Sequence, residues 1–210
     1  MTERRGRGRP RETDTDTSAA IARVALRLFA AHGFEATSLR EIANAAGVDV
    51  ALISYRFGGK AGLWKSIVSQ AGADLREALE RALGDDCTAS ARQRFDMSAR
   101  AFLAFLLDRP EMPRLLLRDI TIDSERSQWL LENLSQPLHA HFFELAQAVA
   151  DAQEEAPTHL QFRVANFVYS AASTPSTSTS SSAALNFESA AIPPTRAARR
   201  SRRATVLAAE

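Results

Sequence analysis

The sequence predicts an all-α protein, in which a small N-terminal domain of three short helices is joined by a long helix to a helical C-terminal domain. Apolar residues recur every three or four positions through most of residues 17–172, which is the period of helices with one buried face. Residues 17–65 hold three such segments separated by glycines, and they leave no room for a sheet. Both observations favour helices throughout.

The composition narrows the class of protein. Hydrophobic residues make up 45% and charged residues 24% of the 210 residues, which is typical of a globular protein in water. No run approaches the ~18 consecutive apolar residues of a membrane span, and the arginine-rich start lacks the apolar stretch of a secretion signal, so we expect a cytoplasmic protein. Cys87 is the single cysteine, which excludes a disulfide framework or a cysteine-rich metal site within one chain. We expect no metal and no cofactor.

The first two helices have recognisable ends. The first is expected to begin at Thr17 and to end at Gly33, a residue that tolerates the left-handed conformation of a helix C-cap. The second begins at Ser38, which forms a capping-box pattern with Glu41, and it ends before Gly47.

The second and third helices are the most informative pair. They are expected at 38–46 and 49–57, joined by Gly47 and Val48, and a helix-turn-helix needs such a tight turn where its helices cross. In the third helix Ile53 and Phe57 are expected to face inward. The opposite face, which would enter a DNA major groove, then carries Val50, Ala51, Ser54 and Tyr55.

A long fourth helix is expected after Gly58–Gly59, and it joins the N-terminal domain to a helical domain over residues 66–172. Pro110 and Pro113 are expected to stop the next helix, since proline cannot continue one. Later helices are expected at 115–122, at 127–134, after Pro137 and at 160–172. Residues 173–210 are rich in Ser and Thr, then in Ala, Pro and Arg, and are predicted to be a disordered tail. An altered reading frame or an unusual terminus is our hypothesis for that tail.

Residues 1–16 are predicted to be a disordered basic arm, because they are polar and have no apolar period. Within the arm, Arg7-Gly8-Arg9-Pro10-Arg11 resembles the core of an AT-hook, an extended segment that lies in the narrow minor groove of A·T-rich DNA. Arg7, Arg9 and Arg11 are therefore candidate DNA contacts, and a solubilising tail is the alternative.

A set of residues across the N-terminal domain shares the spacing of one known family: Ile21, Ala22, Ala25, Leu28, Phe29, Gly33, Phe34, Thr37, Ser38, Ile42, Ala43, Ala46, Gly47, Val48, Tyr55, Arg56, Phe57, Lys60 and Leu63. This pattern resembles the N-terminal DNA-binding domain of TetR-type transcriptional regulators. The resemblance implies a homodimer and a near-palindromic operator in double-stranded DNA. It also implies a divergent C-terminal domain that binds a small apolar or amphipathic molecule and releases the DNA.

The resemblance gives roles to individual residues. Thr37 and Ser38 match phosphate contacts at the start of the second helix, where a helix N-terminus also favours anions. Tyr55 and Lys60 match phosphate contacts at the recognition helix and at the start of the fourth helix. Arg56 either reaches phosphate or pairs with an acidic neighbour inside the domain.

The third helix departs from the family at Leu52 and Ser54, where members often carry Thr and Tyr. The bases are therefore expected to be recognised by apolar or small side chains, with Ala51 or Leu52 in contact with thymine methyl groups. The operator sequence stays open.

Aromatic residues of the C-terminal domain are expected to be mostly core, and some to line an apolar ligand pocket. His139 and His141, two apart on a helix, point away from each other, which favours structural roles over metal ligation.

No nucleophilic triad, paired carboxylates or Gly-rich phosphate loop stands out, so no enzyme is expected. The predicted function is a ligand-released repressor, and the alternative is a non-specific architectural DNA-binding protein that uses the arginine arm. The candidate pocket residues are Phe102, Phe105, Leu106, Trp129, Phe142 and Phe162.

Overall fold

A computed structural model of the chain describes residues 12–84, 88–120, 124–153 and 158–173. Within these ranges every regular element is a helix, so the all-α prediction is confirmed. None of the helices in this part of the chain is both long enough and apolar enough to cross a membrane. The elements are α1 (Glu12–His32), α2 (Leu39–Ala46), α3 (Val50–Phe57), α4 (Lys60–Leu83), α5 (Ala91–Asp108), α6 (Glu111–Ile120), α7 (Glu125–Leu130), a π-helical turn (Leu131–Ser135), α8 (Gln136–Ala152) and α9 (Leu160–Ser173).

The chain divides into two compact units between Ala71 and Gly72, within α4. The first unit buries one face of each of its helices in a common apolar core. Ile21 and Phe29 of α1, Ile42 of α2, Ile53 of α3 and Trp64 of α4 are all completely buried there. Both short helices are thus held on their apolar sides, and their other sides are left for solvent.

The second unit is built around a cluster of aromatic rings from α5, α8 and α9. Phe142 of α8 is completely buried, with its ring centroid 5.5 Å from that of Phe102 and 5.0 Å from that of Phe167. Phe95 of α5 completes the cluster. Such tilted and edge-on arrangements are the ones that aromatic pairs prefer, and large rings bury much apolar area.

The start of α1 differs from the sequence prediction. The helix begins at Glu12, so residues 12–16 are helical and their assignment to a disordered arm is wrong. The sequence there is acidic, and negative charge near a helix N-terminus interacts favourably with the helix dipole. Residues 1–11 are the remaining part of the predicted arm and lie outside the described residues. The predicted tail after Ser173 also lies outside them.

Pro110 follows the end of α5 at Asp108, so the predicted end of that helix is confirmed. Two other prolines lie inside helical segments. Pro113 is the third residue of α6, in the first turn, where its missing N–H would have had no helical partner anyway. Pro137 lies inside a helical run that continues from α7 through the π-helical turn into α8. Proline crowds the carbonyl group four residues earlier, and here that carbonyl belongs to the widened π-helical turn. The helix predicted from residue 115 therefore begins at Glu111, and the segments predicted at 127–134 and after Pro137 are one helical run.

Candidate nucleic-acid interface

The turn between α2 and α3 is fixed by glycine and by a cap. Gly47 follows α2 with φ 68° and ψ 33°, a left-handed conformation that glycine adopts without steric cost. The N–H of Val48 donates to the carbonyl of Ala43 at 3.0 Å. Asp49 then caps α3, and its carboxylate accepts from the N–H of Ala51 at 2.6 Å. The geometry is that of a helix-turn-helix, with both helix limits within one residue of those predicted.

The outer face of α3 is exposed as the sequence predicted. Ile53 is completely buried and holds the helix against the core, whereas Ala51, Ser54 and Tyr55 point to solvent. Tyr55 is 89% exposed, which is unusual for so large a side chain. Val50, Leu52 and Arg56 are partly exposed. This face therefore offers small and apolar side chains beside one phenol group.

Thr37 is placed differently from the prediction. Its side chain is 1% exposed, and its hydroxyl donates to the carbonyl of Gly33 at 2.8 Å. A buried hydroxyl engaged in this way stabilises the loop before α2 and is not offered to a phosphate. Ser38 is exposed and caps α2, accepting from the N–H of Glu41 at 3.1 Å.

Lys60 also acts within the protein. Its ammonium donates to the carbonyls of Phe34 at 2.8 Å, Thr37 at 3.0 Å and Glu35 at 3.4 Å. It also lies 4.4 Å from the centre of the Phe34 ring, a cation–π arrangement. An ammonium has three N–H groups, and three carbonyls face it here. Lys60 is thus a positioning residue that ties the α1–α2 loop to the start of α4.

Two contacts between helices were not predicted from the sequence. Arg56 donates from Nη1 to the hydroxyl of Ser18 at 2.6 Å, which joins the end of α3 to α1. His32 Nδ1 lies 3.4 Å from a carboxylate oxygen of Glu41, between the end of α1 and α2. Neither contact carries a local sequence signal, because the partners are brought together only by the crossing of the helices.

Gly62 marks a close approach of two helices that the sequence did not predict. A Cβ atom at Gly62 would lie 1.7 Å from the carbonyl oxygen of Phe57, the last residue of α3. No side chain fits there. The first turn of α4 therefore packs directly against the end of α3, and Gly62 makes that contact possible.

The structure brings four of the six predicted ligand-pocket residues into one apolar cluster. Phe102, Phe105, Leu106 and Phe142 are buried in the apolar core, where the rings fill the space between the helices. Phe162 is 73% exposed on α9 and therefore cannot line an internal pocket. Trp129 is partly exposed on α7. Arg7, Arg9 and Arg11 lie outside the described residues.

Comparison with known proteins agrees with this geometry. Residues 21–67 match the family of "Bacterial regulatory proteins, tetR family". A relative named "Probable HTH-type transcriptional regulator YttP", from Bacillus subtilis (strain 168), is 37% identical over 100 residues. That match covers 48% of this chain and 48% of the relative, so the chain matches about half the length of the relative.

Solved structures share the fold over a longer stretch. A regulatory protein of the tetR family from Rhodococcus RHA1 is 18% identical with a TM-score of 0.71, over 83% of this chain and 94% of the other. A putative transcriptional regulator from Pseudomonas aeruginosa PAO1 is 20% identical with a TM-score of 0.66, over 83% and 88% of the two chains. At these identities the likeness shows the fold alone.

The glycine turn, the capped third helix and its exposed outer face define a helix-turn-helix domain of the kind found in DNA-binding regulators. The family match covers this same domain. In its N-terminal domain the chain is therefore similar to regulators of the tetR family.

Proposed function

We propose that this protein is a transcriptional repressor of the cytoplasm that binds a near-palindromic operator as a homodimer and leaves it when a small molecule binds. The observation that carries the proposal is the outer face of α3, where Tyr55 is 89% exposed beside small side chains. A helix presented in this way fits the major groove. The contacts of Lys60, Thr37 and Arg56 hold it in place before DNA arrives.

Within this interface the roles divide by side chain. Tyr55 and Ser38 are exposed and polar, so they suit contacts to phosphate, which fix register without reading sequence. Ala51 and Leu52 suit apolar contact with thymine methyl groups, and Val50 and Ser54 border them. Thr37 and Lys60 act indirectly, by holding the loop that leads into α2.

The dimer is supported by the surface of α9. Phe162 is 73% exposed and Tyr169 is 38% exposed, and a spacing of seven residues places both on one face of the helix. Exposed aromatic side chains in a row are typical of protein–protein interfaces. Two subunits would present two copies of α3 to successive major grooves.

The test is selection of bound sequences from random DNA by the full chain, followed by footprinting at physiological salt. We expect one near-palindromic site, protected in two major grooves on one side of the duplex. Leu52→Thr should change which bases are preferred, whereas Tyr55→Phe should weaken all sequences alike. Protection of DNA regardless of its sequence would overturn the proposal. If that protection disappears when residues 1–11 are deleted, the arginine arm is the element that binds DNA.

A further inference from the structure

A cleft of about 280 Å³ lies within the second unit, between α4 from Gly72 onward and the π-helical turn with the start of α8. We call it the α4–α8 cleft. Its size is close to the lower end of the range of about 300–1,000 Å³ that small-molecule sites span. It contains none of the six residues that the sequence suggested for a pocket.

The walls of the α4–α8 cleft are mainly apolar. Leu75 and Leu79 of α4 form one wall and are also part of the buried core, with exposures of 6% and 4%. Leu134 of the π-helical turn and Leu138 of α8 face them, and both are partly buried. Burial of apolar area is the favourable term that such walls offer, so the fitting molecule is largely apolar.

One polar group in the cleft is held by a buried partner. His141 of α8 lines the cleft, and its Nε2 lies 3.0 Å from the hydroxyl of Ser98, which is completely buried. Burial lowers the pKa of His141 below its usual value, against an opposing effect from Glu144, so the imidazole is uncharged at neutral pH. It is therefore a fixed, neutral hydrogen-bonding group.

The formal charges at the cleft cancel. Arg76 and Glu80 are both exposed, lie one turn apart on α4 and carry opposite charges. With a neutral His141 the lining has no net charge, and nothing in it selects an anion over a cation. An uncharged molecule is the one that this lining suits.

The cleft also adjoins an irregular part of the helix. Leu131–Ser135 is π-helical, and such turns within α-helices occur frequently at functional sites. At one end of the cleft a Cβ on Gly72 would lie 3.1 Å from Cδ1 of Leu134, so α4 and this turn meet closely there. The same helix, α4, begins with Lys60, which holds the loop before α2.

We propose that the α4–α8 cleft binds a small, uncharged, mainly apolar molecule with one hydrogen-bonding group, and that this molecule is the effector; phenol serves as the smallest probe of this class. The effector role rests on the proposed function, whereas binding to the cleft does not. A molecule between Leu79 and Leu134 would act on α4, the helix that both units share.

The first test measures binding without DNA. Calorimetry on the full chain compares phenol with toluene, benzoate and benzylammonium, which share the ring and differ in the polar group. We expect phenol to bind most tightly. Leu134→Phe, which fills the cleft, should weaken phenol by about tenfold or more. Leu131→Phe is the matched control, because Leu131 is on the same turn, 44% exposed and outside the cleft lining, and it should change nothing.

A charge exchange keeps the test decisive if Leu134→Phe fails to fold. Glu80→Lys alters an exposed rim residue and should make benzoate bind more tightly than in the unaltered chain. Glu77→Lys, on the same helix but outside the cleft lining, should leave benzoate unaffected. Failure of all four probes, phenol binding that neither cleft variant alters, or tightest binding of a charged probe would overturn the proposal.

The effector role is tested with the selected operator. Phenol should release the unaltered chain from DNA and should fail to release Leu134→Phe at the same concentration. If phenol binds the cleft and operator affinity does not change, the effector role is wrong while the DNA-binding proposal stands. If no operator is found, the DNA-binding proposal fails and calorimetry still decides whether the cleft binds phenol.

Discussion

Each of the two units has an apolar core, but directional hydrogen bonds stand out in the first unit and aromatic packing in the second. In the first unit α2 and α3 are eight residues each, and Ser38 and Asp49 cap their N-termini by accepting from backbone N–H groups. Thr37 and Lys60 donate to carbonyls of the loop before α2. In the second unit longer helices surround a cluster of phenylalanine rings. Hydrogen bonds are directional and apolar packing is not. The first unit is thus suited to hold a surface in one orientation, and the second to enclose apolar space.

The largest effect should come from the aromatic cluster. Phe142→Ala removes a completely buried ring that packs against three others, so we expect a loss of about 3–5 kcal/mol in the free energy of unfolding. Urea denaturation followed by circular dichroism measures it. Phe162→Ala, at a ring that is 73% exposed, is the control and should change stability little in the monomer. Equal losses for the two variants would contradict the packing described here.

A close backbone approach should break the first unit. Gly62→Ala places a Cβ against the carbonyl of Phe57, and neither backbone segment can yield without moving α3 from α4. We expect about 3 kcal/mol of destabilisation and loss of DNA binding. Gly47→Ala is the comparison, because an added Cβ there lies within 4 Å of no other atom. Its only cost is the left-handed φ of 68° that alanine would have to adopt. It should cost about 1–2 kcal/mol. A harmless Gly62→Ala would show that the two helices are farther apart.

The smallest expected effect distinguishes a residue that positions the loop before α2, Lys60, from a residue that contacts DNA directly, Tyr55. Lys60→Met keeps an unbranched side chain but removes three hydrogen bonds to carbonyls, so it should destabilise the first unit by about 1–3 kcal/mol and weaken DNA binding. Tyr55→Phe should weaken DNA binding with no change in stability, because Tyr55 is almost fully exposed. Thermal unfolding and DNA affinity, measured for both variants, test this difference. An unchanged melting temperature for Lys60→Met would favour a direct phosphate contact instead.

Local signals in the sequence were enough for the helix-turn-helix. Ser38, Gly47, Asp49 and Gly58 act through neighbours a few residues away, so their effects are visible in a single sequence. The partners of Lys60 and Arg56 are distant in sequence, and no local pattern announces them. Family resemblance suggested phosphate for Lys60, but the loop carbonyls lie within its reach.

The second unit was less predictable for a different reason. Periodicity shows which face of a helix is apolar but not what covers that face. Phe142 and Phe162 therefore carried the same signal, although one is completely buried and the other is 73% exposed. The π-helical turn at Leu131–Ser135 also shifts the phase between α7 and α8. A stripe of apolar residues at the regular helical spacing cannot be extended from α7 into α8 across this shift. The residues that line the α4–α8 cleft could therefore not be predicted from the sequence.

The three carbonyls that face Lys60 have a consequence for how ionic strength acts on this protein. Each cationic side chain that neutralises a phosphate displaces condensed ions from the duplex and steepens the dependence of affinity on salt by about one unit per contact. Because the ammonium of Lys60 is bound to carbonyls of its own chain, we expect it to make no direct contact with a phosphate. A plot of log affinity against log salt should therefore keep the same slope in Lys60→Met while its intercept falls. We therefore expect the ammonium of Lys60 to stabilise the fold and to displace few ions from the DNA.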